Sequence, residues 1–105
     1  MAEFRCINAD EAITLMNEGA AITDIRDSQS FAAGHITGAL HLNNDNLEQV
    51  LHGLEFDTPV IVCCYHGISS QSAAAFLVER GFENVASLNG GFEEWRVNHA
   101  DKIES

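Results

Sequence analysis

Val60-Ile61-Val62-Cys63-Cys64-Tyr65-His66-Gly67-Ile68-Ser69-Ser70 is a strand running into a turn. The run Val60 to Cys63 is continuously apolar, as a strand buried on both faces requires. Gln71 to Glu79 follows with the apolar spacing of a helix. Cys64 therefore stands at the carboxyl end of a strand, facing the amino end of a helix. Backbone N–H groups and the positive end of the helix dipole both favour negative charge there. A cysteine in such a position can have its pKa lowered from about 8.5 into the range of roughly 3.5 to 7.5, so that the thiolate dominates at neutral pH. The bland alternative is a small buried thiol with no chemistry, since free cysteine is among the most buried residue types.

Outward from this turn the chain alternates strand and helix. Phe4 to Ile7 is a short strand, and Asn8 with Glu11 forms a capping box for a helix through Met16 that Gly19 closes. Ala20 to Ile25 is a second strand. Ser28 caps a short helix over residues 29–33, and Gly34 ends it. Gly38 to Leu42 is a third strand, Asn44 or Asp45 starts a helix through Leu51, and Gly53 stops it. Pro59 opens the fourth strand, where a missing N–H is tolerated. Gly81 terminates the helix after the turn, Val85 to Leu88 is the fifth strand, and Gly90-Gly91 leads into a last helix bearing Phe92 and Trp95. Five strands alternating with four or five helices predict an α/β fold: a mainly parallel sheet with helices on both faces.

At 105 residues the chain suits one domain over residues 1–105. A net charge of −11 argues against nucleic acid or an anionic membrane as partner. Ala2-Glu3-Phe4-Arg5 lacks the basic start and apolar core of a signal peptide, no apolar run approaches a membrane span, and a cytoplasmic protein is expected. Cys6, Cys63 and Cys64 are odd in number and have no metal-ligand spacing. Neither a disulfide framework nor a metal site is expected, and Cys6 is assigned to the core.

In a parallel sheet the turns after Asp24, after Cys64 and around Asn89-Gly90-Gly91 converge on one edge. Asp24 and Arg26 are two apart and point to the same side, which suits an ion pair bracing a loop. His66 is read as shaping the loop or facing an anion rather than as a general base, because its reach back to the sulfur is awkward. His35 reads as a buried hydrogen-bonding histidine. Ser69 and Ser70 read as helix caps whose hydroxyl or N–H groups border an anion.

Three segments together carry a family resemblance. Asp24-Ile25-Arg26-Asp27 with Phe31, Gly34-His35-Ile36 and Gly38-Ala39 resembles the amino-terminal rhodanese signature, and Leu88-Asn89-Gly90-Gly91-Phe92-Glu93-Glu94-Trp95 the carboxy-terminal one. Cys64 to Ser70 is similar to the active loop of the single-domain bacterial thiosulfate sulfurtransferases of that family. The resemblance implies a rhodanese-like fold with a five-stranded sheet and a catalytic Cys64. That cysteine takes the outer sulfur of thiosulfate as a persulfide, releases sulfite, and passes the sulfur to cyanide or to a thiol acceptor such as a thioredoxin-like protein. The N–H groups of Tyr65, His66, Gly67, Ile68, Ser69 and Ser70 would bind the substrate, with no metal and no organic cofactor. Two positions depart from the family pattern: Ser30 replaces a common acidic residue, and the loop has no arginine or lysine.

A phosphatase or arsenate reductase of the same fold would need an arginine six residues after the cysteine to clamp an oxyanion, and that position is Ser70. A persulfide carrier or regulatory binding module with little turnover is the alternative that uses the same cysteine.

Overall fold

A computed structural model describes residues 3–105; Met1 and Ala2, where the leader-like pattern was sought, lie outside the described residues. The elements in order are β1 (Arg5–Ile7), α1 (Ala9–Asn17), β2 (Ala21–Asp24), α2 (Ser28–Ala33), β3 (His35–Ile36), β4 (Leu40–His41), α3 (Leu47–His52), β5 (Val60–Cys63), α4 (Ser69–Glu79), β6 (Val85–Leu88), α5 (Gly91–Asn98), a 3-10 turn (Ala100–Lys102) and β7 (Ile103–Glu104). Five strands pair in parallel in the order β1-β6-β5-β2-β4, as the alternation of elements predicts.

Alternation along the strands splits the core in two. Ile61 and Cys63 of β5 join Ile22, Ala86, Leu88, Ala12, Phe92 and Trp95 on the face covered by α1 and α5. Val60 and Val62 join Val85, Leu51, Ala74 and Leu77 on the face covered by α3 and α4. β5 sits between β6 and β2, so every side chain of Val60–Cys63 is buried, which is why its sequence shows no polar alternation. Its carboxyl end delivers Cys64 to the sheet edge.

The capping box forms: the Asn8 side chain accepts from the Glu11 N–H at 2.8 Å, and the Glu11 carboxylate accepts from the Asn8 N–H. Several expectations need correction. Cys6 is exposed rather than in the core, because β1 is the sheet's edge strand. Asp27, not Ser28, caps α2, its carboxylate accepting from the Ser30 N–H at 3.1 Å. The third strand shortens to Leu40–His41, and α3 begins at Leu47. Pro59 lies just before β5, and its carbonyl accepts from the Ala21 N–H. A small antiparallel pair, β3 with β7, closes the chain's end against His35 and Ile36.

Candidate active site

The loop from Cys64 to Ile68 bends its backbone around the Cys64 sulfur. The N–H groups of Gly67 and Ser70 donate to Sγ at 3.1 and 3.2 Å. The Ser70 hydroxyl lies 3.2 Å from Sγ. α4 begins at Ser69 with Ile68 at its cap and no side chain capping it. This corrects the reading of Ser69 and Ser70 as caps: both lie inside the first turn, where the Ser70 N–H is one of the donors left without a helical partner. That donor is spent on sulfur instead of on a cap.

Burial alone would raise the Cys64 thiol, but the Ser70 hydroxyl and the N–H groups of Ser70, Gly67 and His66 outweigh it, so its pKa lies below the ordinary thiol value. The neighbouring Cys63 behaves oppositely. It points into the other face of the sheet, fully buried, and burial together with the Asp24 carboxylate pushes its thiol up. The two adjacent cysteines thus differ because strand alternation sends one into the core and leaves the other under a ring of donors.

The other loop residues separate into distinct roles. Tyr65 reaches across to α2, where its hydroxyl donates to the Asp27 carboxylate and meets the Ser30 hydroxyl at 2.6 Å. These bonds hold Asp27 at a pKa of about 2, through the Tyr65 hydroxyl first and then the Ser30 N–H and hydroxyl. His66 and Ser69 face solvent, and Ile68 is 75% exposed at the loop's tip. Gly67 has φ +84, and a Cβ there would meet the Gly90 nitrogen and the Leu88 carbonyl at 2.9 Å. Only glycine fits.

The Asn89-Gly90-Gly91 turn clamps this loop from behind. The N–H groups of Phe92 and Glu93, at the start of α5, donate to the carbonyls of Cys64 and Tyr65 at 2.8 and 3.0 Å. A Cβ on Gly91 would lie 2.5 Å from the Cys64 carbonyl oxygen. Gly91 thus does more than lead into the helix: with φ +57 and no Cβ, it admits the loop backbone, a role that the sequence does not signal.

Asp24 and Arg26 form the expected buried pair, with Nη2 to Oδ2 at 2.7 Å. Arg26 also donates to the Gly34 carbonyl at 2.7 Å and lies 4.0 Å over the Phe92 ring. Burial lowers its pKa, and the Asp24 hydrogen bond and charge more than offset that, leaving it raised. The pair ties the β2 turn to α2 and α5. His35 is buried as expected, its Nδ1 hydrogen-bonded to the Phe31 carbonyl at 2.8 Å and its Nε2 3.2 Å from Glu104. Among the described residues no group of three or more His, Cys, Asp or Glu side chains is arranged to hold a metal ion.

Residues 8–98 match the family described as Rhodanese-like domain. The chain belongs to the rhodanese family. Among its rhodanese relatives, a protein of Pseudomonas entomophila named thiosulfate sulfurtransferase GlpE is 54% identical over 99 residues, covering 94% of this chain and 91% of that one. A protein of the same name in Pseudomonas fluorescens is 51% identical over 105 residues, covering 100% and 96%. The rhodanese fold also matches the Alr3790 protein of Anabaena, with a TM-score of 0.82 at 25% identity over 94% of this chain and 80% of that one. It matches the Bacillus anthracis CoADR-RHD with a TM-score of 0.83 at 22% identity, over 97% of this chain but only 18% of that longer protein. The two segments with rhodanese-like signatures flank the Cys64 loop in space: the first carries Asp27 and Ser30, which the Tyr65 hydroxyl meets, and the second carries Phe92 and Glu93, which brace the loop backbone.

Proposed function

We propose that this chain is a thiosulfate sulfurtransferase in which Cys64 is the sulfur acceptor and the loop from Tyr65 to Ser70 binds the substrate. The observation that carries the reading is the set of donors converging on Cys64 Sγ, which favours an anion on that atom. The names of the curated relatives point the same way. The thiolate attacks the outer sulfur of thiosulfate, the sulfur–sulfur bond breaks, and sulfite leaves with the electron pair. Cys64 then carries a persulfide anion, which the same donors stabilise. A second nucleophile, cyanide or the thiolate of a protein dithiol, attacks the outer sulfur and returns Cys64 to the thiolate. No electrons are left over, and no metal or organic cofactor is required.

The residues from 1 to 105 are read as one domain working in the cytoplasm, where reduced thiols persist. Among the described residues no helix is long and apolar enough to cross a membrane.

The test is intact mass after incubation with thiosulfate. One added sulfur atom, removed by dithiothreitol and absent from Cys64→Ala, is expected, together with thiocyanate release on adding cyanide. Persulfide on Cys63 or Cys6 would overturn the assignment. Loading of Cys64 without turnover to cyanide or a dithiol would make the protein a sulfur carrier instead.

A further inference from the structure

Ser87 is the polar residue of β6, in the sequence Val85-Ala86-Ser87-Leu88, and it is fully buried. Alternation turns it toward α4, away from Ala86 and Leu88. Its hydroxyl lies 2.7 Å from the Ser70 hydroxyl, its one side-chain hydrogen-bond partner among the described residues. Ser70 in turn is 3.2 Å from Cys64 Sγ. The three atoms form a chain from the sheet's interior to the sulfur.

We infer that Ser87 is a positioning residue for the Cys64 anion: it donates to Ser70 and so aims the single Ser70 proton at sulfur. The inference rests on Cys64 being the nucleophile, and it follows from counting protons. While Cys64 is a thiol, its proton goes to the Ser70 oxygen, the Ser70 proton goes to Ser87, and the Ser87 proton has no partner. Once Cys64 is an anion both hydroxyls rotate. Ser87 donates to Ser70, Ser70 donates to sulfur, and every proton is used. The thiol proton leaves to solvent at the loop mouth, since Ser87 is closed off inside the sheet. A buried donor without an acceptor is costly, and hydroxyls linked in series polarise one another, so the chain favours the anion.

The other titratable and charged groups on the elements around the loop are Cys63 on β5, whose own thiol feels the Asp24–Arg26 pair, His66, which reaches the sulfur through its backbone N–H, and Glu93 at the start of α5. The first turn of α4 carries no acidic residue. Ser87→Ala leaves all of these in place.

The experiment is the pH profile of Cys64 alkylation by iodoacetamide, mapped by peptide mass to separate it from the exposed Cys6. Wild type, Ser87→Ala, Ser70→Ala and the double variant are compared, with circular dichroism checking the fold. Ser87→Ala should move the midpoint upward and slow alkylation at pH 7 by roughly three- to tenfold, as expected for one hydrogen bond in the chain. It should equal wild type at alkaline pH, where all of the thiol is ionised. In the Ser70→Ala background Ser87→Ala should change nothing, since its effect passes through Ser70. An unchanged profile, or an equal further shift in that background, overturns the inference. Should a variant not fold, wild type still decides: the Ser70 and Ser87 hydroxyl proton resonances should titrate together with Cys64, and a Ser87 proton indifferent to that midpoint refutes the chain. Alkylation needs no thiosulfate, so a failure to load sulfur would sink the sulfurtransferase reading without touching this result.

Discussion

Cys63 and Cys64 are neighbours with opposite thermodynamics, and stability against pH should expose both. The folded pKa of Cys64 is depressed, so its contribution grows as pH rises through that value and is complete above the unfolded value, about 8.5. The folded pKa of Cys63 is raised, chiefly by burial, so its contribution is complete below about 8.5 and is lost as the pH climbs above that. Thermal melting at low salt should therefore show a rise toward pH 8.5 that Cys64→Ser removes, and an alkaline fall that Cys63→Ala blunts. Cys63→Ala should also cost about 1 kcal/mol or a little more for the small cavity, while leaving sulfur transfer intact in the folded protein. His66→Ala should move the alkylation midpoint of Cys64 only modestly, because His66 acts on the sulfur through its backbone N–H. A return to the free-thiol midpoint in that variant would make the imidazole the activator. At the same scale, removing the Asp24 charge by Asp24→Asn leaves Arg26 buried and unpaired, and should destabilise by about 3–5 kcal/mol measured by urea unfolding.

At the scale of elements, the amino end of α5 and the loop from Cys64 to Ile68 form a single unit. Gly91→Ala must push a Cβ into the Cys64 carbonyl at a residue with φ +57. It should lower stability by about 1–3 kcal/mol from backbone strain alone and reduce sulfur transfer more than its effect on melting would suggest. Asn8→Ala is the contrast: loss of the capping box should cost about 1 kcal/mol and leave turnover unchanged. The five parallel strands, their helices and the position of Cys64 were legible because apolar runs, caps and glycine stops all agree locally. β3 and β7 were not, because strands of two residues carry no alternation to read. Cys6 was misjudged since nothing in Phe4-Arg5-Cys6-Ile7 says which strand lies at an edge. Of the candidate site, the place of Cys64 and the N–H donors around its sulfur follow from the strand-to-helix turn. The Tyr65–Asp27–Ser30 contact and the clamp by α5 depend on distant segments meeting, which spacing does not encode. Ser87 left one faint signal, a polar residue in an apolar strand.

The molecule as a whole carries −11, yet the proposed substrate is a dianion. Long-range repulsion is screened beyond about 8 Å at physiological ionic strength, whereas short hydrogen bonds in the loop are screened far less. Raising the concentration of a bulky, non-competing salt should therefore raise kcat/KM for thiosulfate, and sulfate should help less because it can occupy the same cradle. A fall with the bulky salt would mean that a local cation draws the substrate in. The clamp on the loop bears also on how the protein is made. A ribosome releases Cys64 well before Phe92 and Glu93, whose N–H groups hold the Cys64 and Tyr65 carbonyls, and a domain of this kind folds as a unit. Until α5 has left the exit tunnel, the backbone around Cys64 lacks the brace that curves it over the sulfur. The donors that hold the Cys64 pKa down are therefore assembled only once α5 has joined the fold, and the reactivity of the thiol is a property of the finished tertiary structure rather than of the local turn.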